Sequence, residues 1–334
     1  MLKKGKLPNY LLNKLLNRFV KSTVMVGPKV GEDAAIVSIS NKDAAIFSTD
    51  PITFARKTIG HYLLNINAND IAACGGVPKY FLITLLFPEG TKEKEIKNLF
   101  SEIQKECLKM KIEILGGHTE ITGVVKDIIG VGVMVGLAKK DKLTPTKAAR
   151  PGDKILFIKQ IAIEGTAIIF REKEKELKSV FPQKIIKRGK NLLFNPGISI
   201  LKAAKILNQN CKVRAMHDPT EGGIANALWE ISQAARVKIL AEEKKIPINE
   251  ETRSICNYYH LDPLYLIASG SLLATLSKRE AEKGIKILRK NKISATIIGE
   301  VKRGKGAWFI RENKFREIIP KEDEITKINL MAKN

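Results

Sequence analysis

Cysteine pairs, aromatic residues and long apolar runs are all scarce in this chain of 334 residues, and each shortage excludes a class of protein. The four cysteines lie far apart and form no CxxC pair, so neither a zinc site nor a thioredoxin-like motif is expected. The longest apolar stretch, residues 128–138, is too short to span a bilayer. The basic N-terminus leads into an amphipathic pattern and not into the apolar core of a signal peptide. We therefore expect a cytoplasmic protein with no membrane segment.

Acidic residues are also few, because 35 Asp and Glu face 58 Lys and Arg, which gives a formal net charge of +23. A nucleic-acid partner would be recognised by clustered Lys and Arg. Here the lysines are scattered, and many stand beside Glu, as in residues 171–176. No basic stretch is interleaved with aromatic residues, which make up only 6% of the chain. The charge therefore predicts a lysine-rich solvated surface, and a nucleic-acid partner is not expected.

The length of the chain allows two domains with separate cores, and hydrophobic residues make up 44% of it. Strand-like and helix-like patterns alternate without a sustained repeat, which predicts an α/β protein. Residues 144–153 are rich in turn formers and lie between two apolar strand-like runs. We therefore predict an N-terminal domain over residues 1–148 and a C-terminal domain over residues 149–334.

Four short acidic motifs follow one another in the first 120 residues, each where a strand or a helix meets a turn. They read Gly-Glu-Asp-Ala-Ala at 31–35, Ser-Thr-Asp at 48–50, Asn-Ala-Asn-Asp at 67–70 and Gly-Gly-His-Thr-Glu at 116–120. Carboxylates suit Mg²⁺, a hard cation that prefers oxygen ligands and keeps several waters beside substrate phosphates. The adjacent glycines let backbone N–H groups come close to phosphate oxygens. A single Asp of this kind is more often a helix cap or a turn residue, but the ordered set predicts a site for divalent metal and polyphosphate.

The order of these motifs resembles the superfamily that contains aminoimidazole ribonucleotide synthetase, selenophosphate synthetase, thiamine-monophosphate kinase and the hydrogenase-maturation protein HypE. The resemblance continues through Ala-Arg-Pro-Gly-Asp at 149–153 and His-Asp-Pro-Thr-Glu-Gly-Gly at 217–223, which looks most like the HypE branch. It implies a two-domain α/β fold, in which the N-terminal mixed sheet pairs with that of a second protomer into a barrel-like homodimer and the C-terminal domain is an α/β sandwich. It also implies ATP and Mg²⁺ as cofactors in the groove between the domains, and a small-molecule substrate whose oxygen atom is activated by phosphoryl transfer.

The resemblance also implies roles for individual residues. Mg²⁺ would be held by Asp33, Asp50 and Asp70, and the catalytic residues would be His118, Glu120 and Asp218. Asn67 and Asn69 are expected to share one helical face near the phosphates, and the helix start after 217–223 is a natural anion site, although Asp218 or Thr220 could equally cap that helix. Residues 164–166 have the same loop-to-helix character and are a weaker candidate. The nucleotide would contact the remaining motif residues, which are Gly31, Glu32, Asn67, Asn69, Gly116, Gly117, Thr119, Thr220, Gly222 and Gly223.

The chain departs from the superfamily pattern at His118, where the synthetases and kinases usually carry a carboxylate. Imidazole is a poorer ligand for Mg²⁺ than a carboxylate is. This corner therefore either binds one fewer metal ion or uses His118 to transfer a proton, unless the residue merely ends a strand.

A second departure concerns cysteine. HypE proteins end in a Cys whose thiol carries the carbamoyl group, whereas the last cysteine of this sequence is Cys256. The standard HypE reaction is therefore not expected. Selenophosphate synthetase is disfavoured because the reactive Cys or selenocysteine before the first glycine-rich motif is missing. We expect a HypE-like ATP-binding protein that phosphorylates a small substrate or activates it for dehydration or cyclisation. Aminoimidazole ribonucleotide synthetase and a non-catalytic nucleotide- or nucleic-acid-binding protein remain the alternatives.

Overall fold

The structure is a computed structural model and describes residues 5–16 and 24–328. After helix α1 (Asn9–Leu16), strands and helices build two separate sheets, which confirms the predicted mixed α/β fold. Within the described ranges, no helix combines the length and the apolar composition that crossing a bilayer requires.

The first sheet is mixed and has five strands. Its order is β1-β2-β5-β3-β4, and only the β3–β4 pair is parallel. Helix α2 packs against β2 and β5, and α3 packs on α2. The elements are β1 (Ala35–Ser38), β2 (Asp43–Ile52), α2 (Ile59–Ala73), β3 (Val77–Pro88), α3 (Glu93–Met110), β4 (Glu113–Thr122) and β5 (Ile129–Lys139).

The residues of β5 explain why α2 packs so closely on one face of this sheet. A Cβ atom at Gly136 would lie 2.0 Å from Cγ2 of Ile71, and one at Gly132 would lie 2.7 Å from the amide nitrogen of Asn67. Glycine therefore lets the helix lie against the strand backbone. The alternate residues of the strand point to the opposite face, which we call the outer face. In the middle of the strand they are apolar and only partly buried or exposed, namely Val131, Val133, Val135 and Leu137, and the strand ends on the exposed Lys139 of the same face.

The second sheet has seven strands in the order β12-β11-β8-β10-β6-β9-β7, and only β11 and β8 run parallel. Its strands are β6 (Lys154–Ile158), β7 (Ala215–His217), β8 (Lys238–Glu242), β9 (Leu272–Leu276), β10 (Ala295–Lys302), β11 (Gly306–Arg311) and β12 (Lys314–Glu317). Its helices are α4 (Ile163–Glu172), α5 (Glu174–Leu177), α6 (Gln183–Asn191), α7 (Leu201–Asn210), α8 (Gly223–Ala235), α9 (Glu250–Tyr258) and α10 (Lys278–Lys290).

Helices cover both faces of the second sheet, as β6 shows. Phe157 packs in a core that includes residues of α4 and α8, whereas Leu156 packs in a core that includes residues of α7 and α10. A strand that is covered on both sides reads as a continuous apolar run, which is the pattern that β6 has.

Helix α2 also ties the first sheet to the second half of the chain. Ala73 packs in one core with Ile158 and Ala203. The side chain of Asn69 donates to the carbonyl oxygen of Ile198 at 2.8 Å and accepts from the backbone N–H of Ile200 at 2.9 Å. These buried contacts fix α2 relative to both halves.

Candidate functional site

Four aspartates from separate segments approach one another where the two halves of the chain meet. Asp33 precedes β1, Asp50 lies in β2, Asp70 lies in the last turn of α2 and Asp218 directly follows β7. Asp70 shares a side-chain hydrogen bond with Asp50, and the charges of Asp218 and Asp33 also act on it. We call these four residues the aspartate cluster. Three of them are the predicted metal ligands, and the fourth was predicted to be catalytic.

Burial and mutual repulsion make the ionised form of this cluster costly. Burial, followed by the charges of Asp50 and Asp218, raises the pKa of Asp70 well above its ordinary value. Burial, followed by the charge of Asp33, does the same to the pKa of Asp218. Carboxylates that are buried beside like charges either hold protons or require cations. The cluster is therefore a place where a positive ligand is strongly favoured.

Three carboxylate oxygens in the cluster are buried and accept no hydrogen bond from any described residue: Oδ2 of Asp33 and both side-chain oxygens of Asp218. Buried polar atoms almost always have a partner, so each exception calls for an explanation. Among the described residues, no group of three or more potential ligands is arranged to hold a metal ion by itself. Mg²⁺ does not need such a cage, because one or two carboxylates with substrate phosphates and waters suffice. The donor set therefore fits Mg²⁺ that arrives with a polyphosphate.

Two basic side chains offset part of the negative charge. Nδ1 of His217 lies 2.6 Å from Oδ1 of Asp33, and its Nε2 lies 3.1 Å from Oε2 of Glu230. Burial alone would lower the pKa of His217, but Asp33 and Glu230 together raise it well above its usual value. Lys6 donates from Nζ to Oγ1 of Thr220 at 3.1 Å, and the charge of Asp50 acts on it. Neither Lys6 nor His217 was predicted as a site residue.

Asn67 and Asn69 do not share a helical face, so that prediction is wrong. Residues two apart in an α-helix are separated by about 200° around the axis. The side chain of Asn67 accepts from the backbone N–H of Asp50 at 3.0 Å and donates to the carbonyl oxygen of Leu63 at 2.9 Å. Asn69 is occupied by the backbone of the second half, as described above. Asn67 therefore positions Asp50, and Asn69 fixes α2, while a contact of either residue with nucleotide stays a prediction.

The segment before β1 likewise positions Asp33. Both carboxylate oxygens of Glu32 accept backbone N–H groups, from Thr146 and Lys147, each at 3.1 Å. Gly31 has φ = +88°, and a Cβ atom there would lie 2.7 Å from the carbonyl oxygen of Glu230. The carboxylate of Glu32 is therefore engaged within the protein, while the nucleotide contacts of Gly31 and Glu32 stay predictions.

The turn before α8 is also satisfied internally. Gly222 donates its backbone N–H to Oδ2 of Asp323, and Gly223 donates to the carbonyl oxygen of Thr220 at 3.0 Å. A Cβ atom at Gly223 would lie 2.6 Å from the carbonyl oxygen of Leu264, so glycine is needed for close packing. The N–H groups of both glycines are thus used within the fold, while the hydroxyl of Thr220 lines a cavity beside the cluster.

Residues 116–120 lie far from the aspartate cluster of the same protomer. Asp50 pairs with Gly132 of β5, which pairs with Ile83 of β3, which pairs with Gly117 of β4. Three strand spacings correspond to about 14 Å. The predicted convergence of Gly116, Gly117, His118, Thr119 and Glu120 with the aspartates therefore does not occur within one protomer, because the second motif and the fourth lie on strands that are not neighbours.

His118 also points to the other face of the sheet. It pairs with Thr84, which pairs with Val131 of the outer face, whereas Asp50 pairs with Gly132 of the face that α2 covers. Nε2 of His118 lies 2.9 Å from Oε2 of Glu120, and both side chains are exposed. The two residues form an exposed pair on the outer face.

A cavity of about 290 Å³ opens beside the aspartate cluster and lies between the two halves of the chain. Its walls are mainly apolar, and its polar lining includes Asp50, Lys6 and Glu164. Burial raises the pKa of Glu164 to about 7. Tyr62 also lines the cavity, and its hydroxyl group has no hydrogen-bond partner in the part of the chain that the structure describes. Of these side chains, sequence reasoning gave weak weight to Glu164 and none to Tyr62.

Glu164→Gln is expected to stabilise the protein at pH 8 and to leave its stability unchanged near pH 4. The folded-state pKa of about 7 lies above the value of 4.5 for an exposed Glu, so the folded state binds more protons between these values and loses stability as the pH rises. This difference in pKa corresponds to about 3 kcal/mol in the free energy of unfolding. Burial is its main cause, and the charges of Glu221 and Lys6 make small contributions of opposite sign. Urea denaturation of both proteins at pH 4, 6 and 8 measures the effect. A constant difference across these pH values would contradict the assignment.

Two family models match the chain: the N-terminal domain of AIR synthase related proteins over residues 31–138, and their C-terminal domain over residues 150–310. A putative hydrogenase expression/formation protein of Methanocaldococcus jannaschii is 26% identical over 305 residues, which cover 88% of this chain and 88% of that protein. A thiamine-monophosphate kinase of Pyrococcus horikoshii is 28% identical over 300 residues, which cover 86% of this chain and 88% of the kinase. A crystal structure of the hydrogenase maturation protein HypE in complex with ATP has a TM-score of 0.68 and 21% identity, covering 95% of this chain and 92% of that one.

Proposed function

Because the chain belongs to the AIR synthase related family, whose two domain models together match most of its length, we propose that it uses ATP with Mg²⁺ to activate an oxygen atom of a small substrate by phosphoryl transfer. The observation that carries this proposal is the aspartate cluster with its unpartnered buried oxygens. A cluster of this kind destabilises the folded protein unless a divalent cation neutralises its charge. The kinase among the relatives and the HypE complex with ATP support the same cofactor.

The aspartates would bind the metal ion, and neighbouring residues would hold the aspartates in position. Asp33, Asp50, Asp70 and Asp218 would hold Mg²⁺, which supplies neutralisation of the phosphate charge when bound. His217 holds Asp33 in place through its 2.6 Å contact, and Asn67 holds the backbone of Asp50. Phosphoryl transfer asks mainly for positioning and charge neutralisation from the protein, and a rigid, buried carboxylate set provides both.

The neighbouring cavity is the site that we assign to the acceptor substrate. Its volume of about 290 Å³ suits a small molecule, and its apolar walls exclude water from the reacting atoms. Glu164 has a pKa of about 7, so it can accept a proton from a substrate hydroxyl or acid near neutral pH. The side chain of Lys6 lies between this cavity and the cluster.

The burial of the cysteine thiols favours a small molecule, and not a thiol of this protein, as the acceptor of the phosphoryl group. All four cysteines are buried. Burial raises the pKa of Cys107 to about 11 and that of Cys256 to about 12, so both remain protonated at neutral pH. A thiol that carries a reacting group has to reach the active site as an accessible nucleophile. None of these four thiols meets that condition.

Calorimetric titration with ATP, once with Mg²⁺ and once with EDTA, tests the proposal directly. Binding at the aspartate cluster is expected only with Mg²⁺, since the bare cluster repels a polyphosphate, so the titration with Mg²⁺ should show a binding event that the titration with EDTA lacks. Saturation at 100 times the dissociation constant would add about 2.7 kcal/mol to the stability of the protein. ADP release is then followed while small hydroxyl- and acid-bearing compounds are added. Mg²⁺–ATP binding without turnover on any of them would favour a non-catalytic nucleotide-binding protein, and no binding at all would overturn the proposal.

His118→Asn is expected to leave Mg²⁺–ATP affinity unchanged and to reduce ATP turnover by roughly a hundredfold, the usual scale for a group that transfers a proton. On the outer face His118 cannot reach the cluster of its own protomer, so it would act at the cluster of a second protomer in the homodimer. Binding and turnover are measured beside His260→Asn, which changes an exposed histidine elsewhere. Equal turnover of the parent and His118→Asn would end the catalytic assignment.

A further inference from the structure

A second cavity, with a volume of about 480 Å³, lies on the opposite side of α2 from the aspartate cluster. It is enclosed by the first turns of α2, by residues 193–199 before α7, and by the turn after α10. His61 and Asn65 of α2 line the cavity. His61 lies roughly 180° around the α2 axis from Asp70. The two sites are therefore separated by the body of a buried helix. We call this second space the rear cavity.

The rear cavity is lined by positive charge. Its described lining contains no carboxylate, although Glu106 stands behind it and pairs with His61 at 3.1 Å and with Lys109 at 3.6 Å. Lys202 and Lys292 are exposed at its edge and can move toward a ligand. An enclosed surface of one sign of charge concentrates ligands of the opposite sign. The basic residues of the lining are His61, Lys109, Lys159, Lys202 and Lys292.

Lys159 differs from the other lysines because it is buried. Its Nζ donates to the carbonyl oxygens of Gly197 at 2.8 Å and Ser199 at 2.7 Å. An ammonium group has three donors, so one remains for a ligand. Burial lowers the pKa of Lys159 to about 8, which an anion in the cavity would reverse by stabilising the charged form. Lys159 also has φ = +66°, a costly conformation for a residue other than glycine.

An aromatic ring completes the rear cavity. Phe194 is 50% exposed. Its ring makes an edge contact with His61, with 4.9 Å between the ring centres, and the guanidinium group of Arg171 lies 5.7 Å from it. The ring is therefore held in place while much of it stays open to a ligand.

We propose that the rear cavity is a second ligand site, which binds a small phosphorylated anion that carries a planar ring, the chemistry of a nucleoside monophosphate. The phosphate lies among Lys159, Lys202 and Lys292, and the ring packs on Phe194. No metal ion is needed, because the lysines supply the positive charge. The site is separate from the aspartate cluster, and the inference does not depend on the reaction proposed there.

Titration with AMP in EDTA tests this site, because the aspartate cluster without metal repels an anion. The parent is expected to bind AMP, and Lys202→Glu is expected to raise the dissociation constant at least tenfold. Lys205→Glu is the matched control, since it reverses the same charge on the same helix but lines a different cavity. It is expected to change the constant less than twofold. Asp70→Asn is also expected to leave AMP binding in EDTA unchanged, so failure at the cluster and failure here are distinguishable.

Phe194→Ala tests the contribution of the planar ring to binding separately from that of the phosphate. It is expected to weaken AMP binding about fivefold and to leave the binding of inorganic pyrophosphate unchanged, since stacking on an aromatic ring contributes on the order of 1 kcal/mol or more. No AMP binding by the parent in EDTA would overturn the proposal. Equal losses in Lys202→Glu and Lys205→Glu would also overturn it, because attraction by the net charge of the protein would then explain the binding.

Discussion

Asp218→Asn is expected to remove most of the affinity for Mg²⁺–ATP and, at the same time, to stabilise the metal-free protein. Asp218 is 1% exposed, and neither of its side-chain oxygens has a partner among residues 5–16 and 24–328. Loss of one charged metal ligand is expected to raise the dissociation constant at least about 100-fold, or 2.7 kcal/mol. In EDTA the same change relieves repulsion with Asp33. Each unit by which burial and neighbours raise the pKa of a carboxyl costs its ionised form about 1.4 kcal/mol.

Calorimetric titration with Mg²⁺–ATP and urea denaturation in EDTA measure the two effects separately. Asp141→Asn is the matched control, because Asp141 is exposed and stands outside the cluster. It is expected to change neither quantity. A substitution that weakens ligand binding but stabilises the metal-free protein is characteristic of a site whose like charges are held together for a ligand. Substitution of a residue that only supports the fold would lower both the affinity and the stability. An Asp218→Asn protein that binds Mg²⁺–ATP within threefold of the parent would refute the assignment.

The presence of the aspartates could be predicted from the sequence because each lies near one end of a regular element. Asp50 lies near the end of β2 and Asp70 near the end of α2, and the hydrophobic patterns of these two elements place their ends within a few residues. The superfamily motifs then supply the order. The mixed α/β fold follows from the same patterns, and the two family models confirm the resemblance over most of the chain.

The orientation of side chains within each motif could not be read in the same way. Asn67 and Asn69 are two residues apart, yet one bonds to β2 and the other to residues 198 and 200. Which of them faces a ligand depends on where α2 packs, and this is set by Gly132 and Gly136 of β5, about 65 residues later in the chain.

Contacts between distant segments could not be predicted from the sequence either. His217 meets Asp33 across 184 positions, and Lys6 meets Thr220 across 214. No local pattern reports such pairs, since they exist only when the second half of the chain closes on the first. The displacement of residues 116–120 has a related cause. The strand order β2-β5-β3-β4 places two strands between β2 and β4, and this order is set by β5, which follows β4 in the chain.

Val133→Asp is expected to convert a homodimer into monomers. The outer face of the first sheet carries a contiguous apolar surface at the centre of which Val133 pairs with Thr49 and Leu82. Phe47 and Leu82 on the adjacent strands are 40% and 38% exposed, and Val133 is 37% exposed. Apolar side chains on a bare sheet face commonly mark an interface, and a second copy of the same face would bury them symmetrically. This is the homodimer that the superfamily resemblance implies.

A two-fold axis would bury two introduced carboxylates in one interface, so the dissociation constant of the dimer is expected to rise about 1,000-fold, or 4 kcal/mol. Sedimentation velocity at micromolar concentration measures the change. Val124→Asp is the matched control, because Val124 is 90% exposed in the turn between β4 and β5, and the same substitution there is expected to leave the dimer intact. Val133→Asp is also expected to lose ATP turnover while each protomer keeps its fold, since the role proposed for His118 requires the aspartate cluster of a partner. A parent protein that sediments as a monomer and still turns over ATP would contradict both the interface and the role of His118.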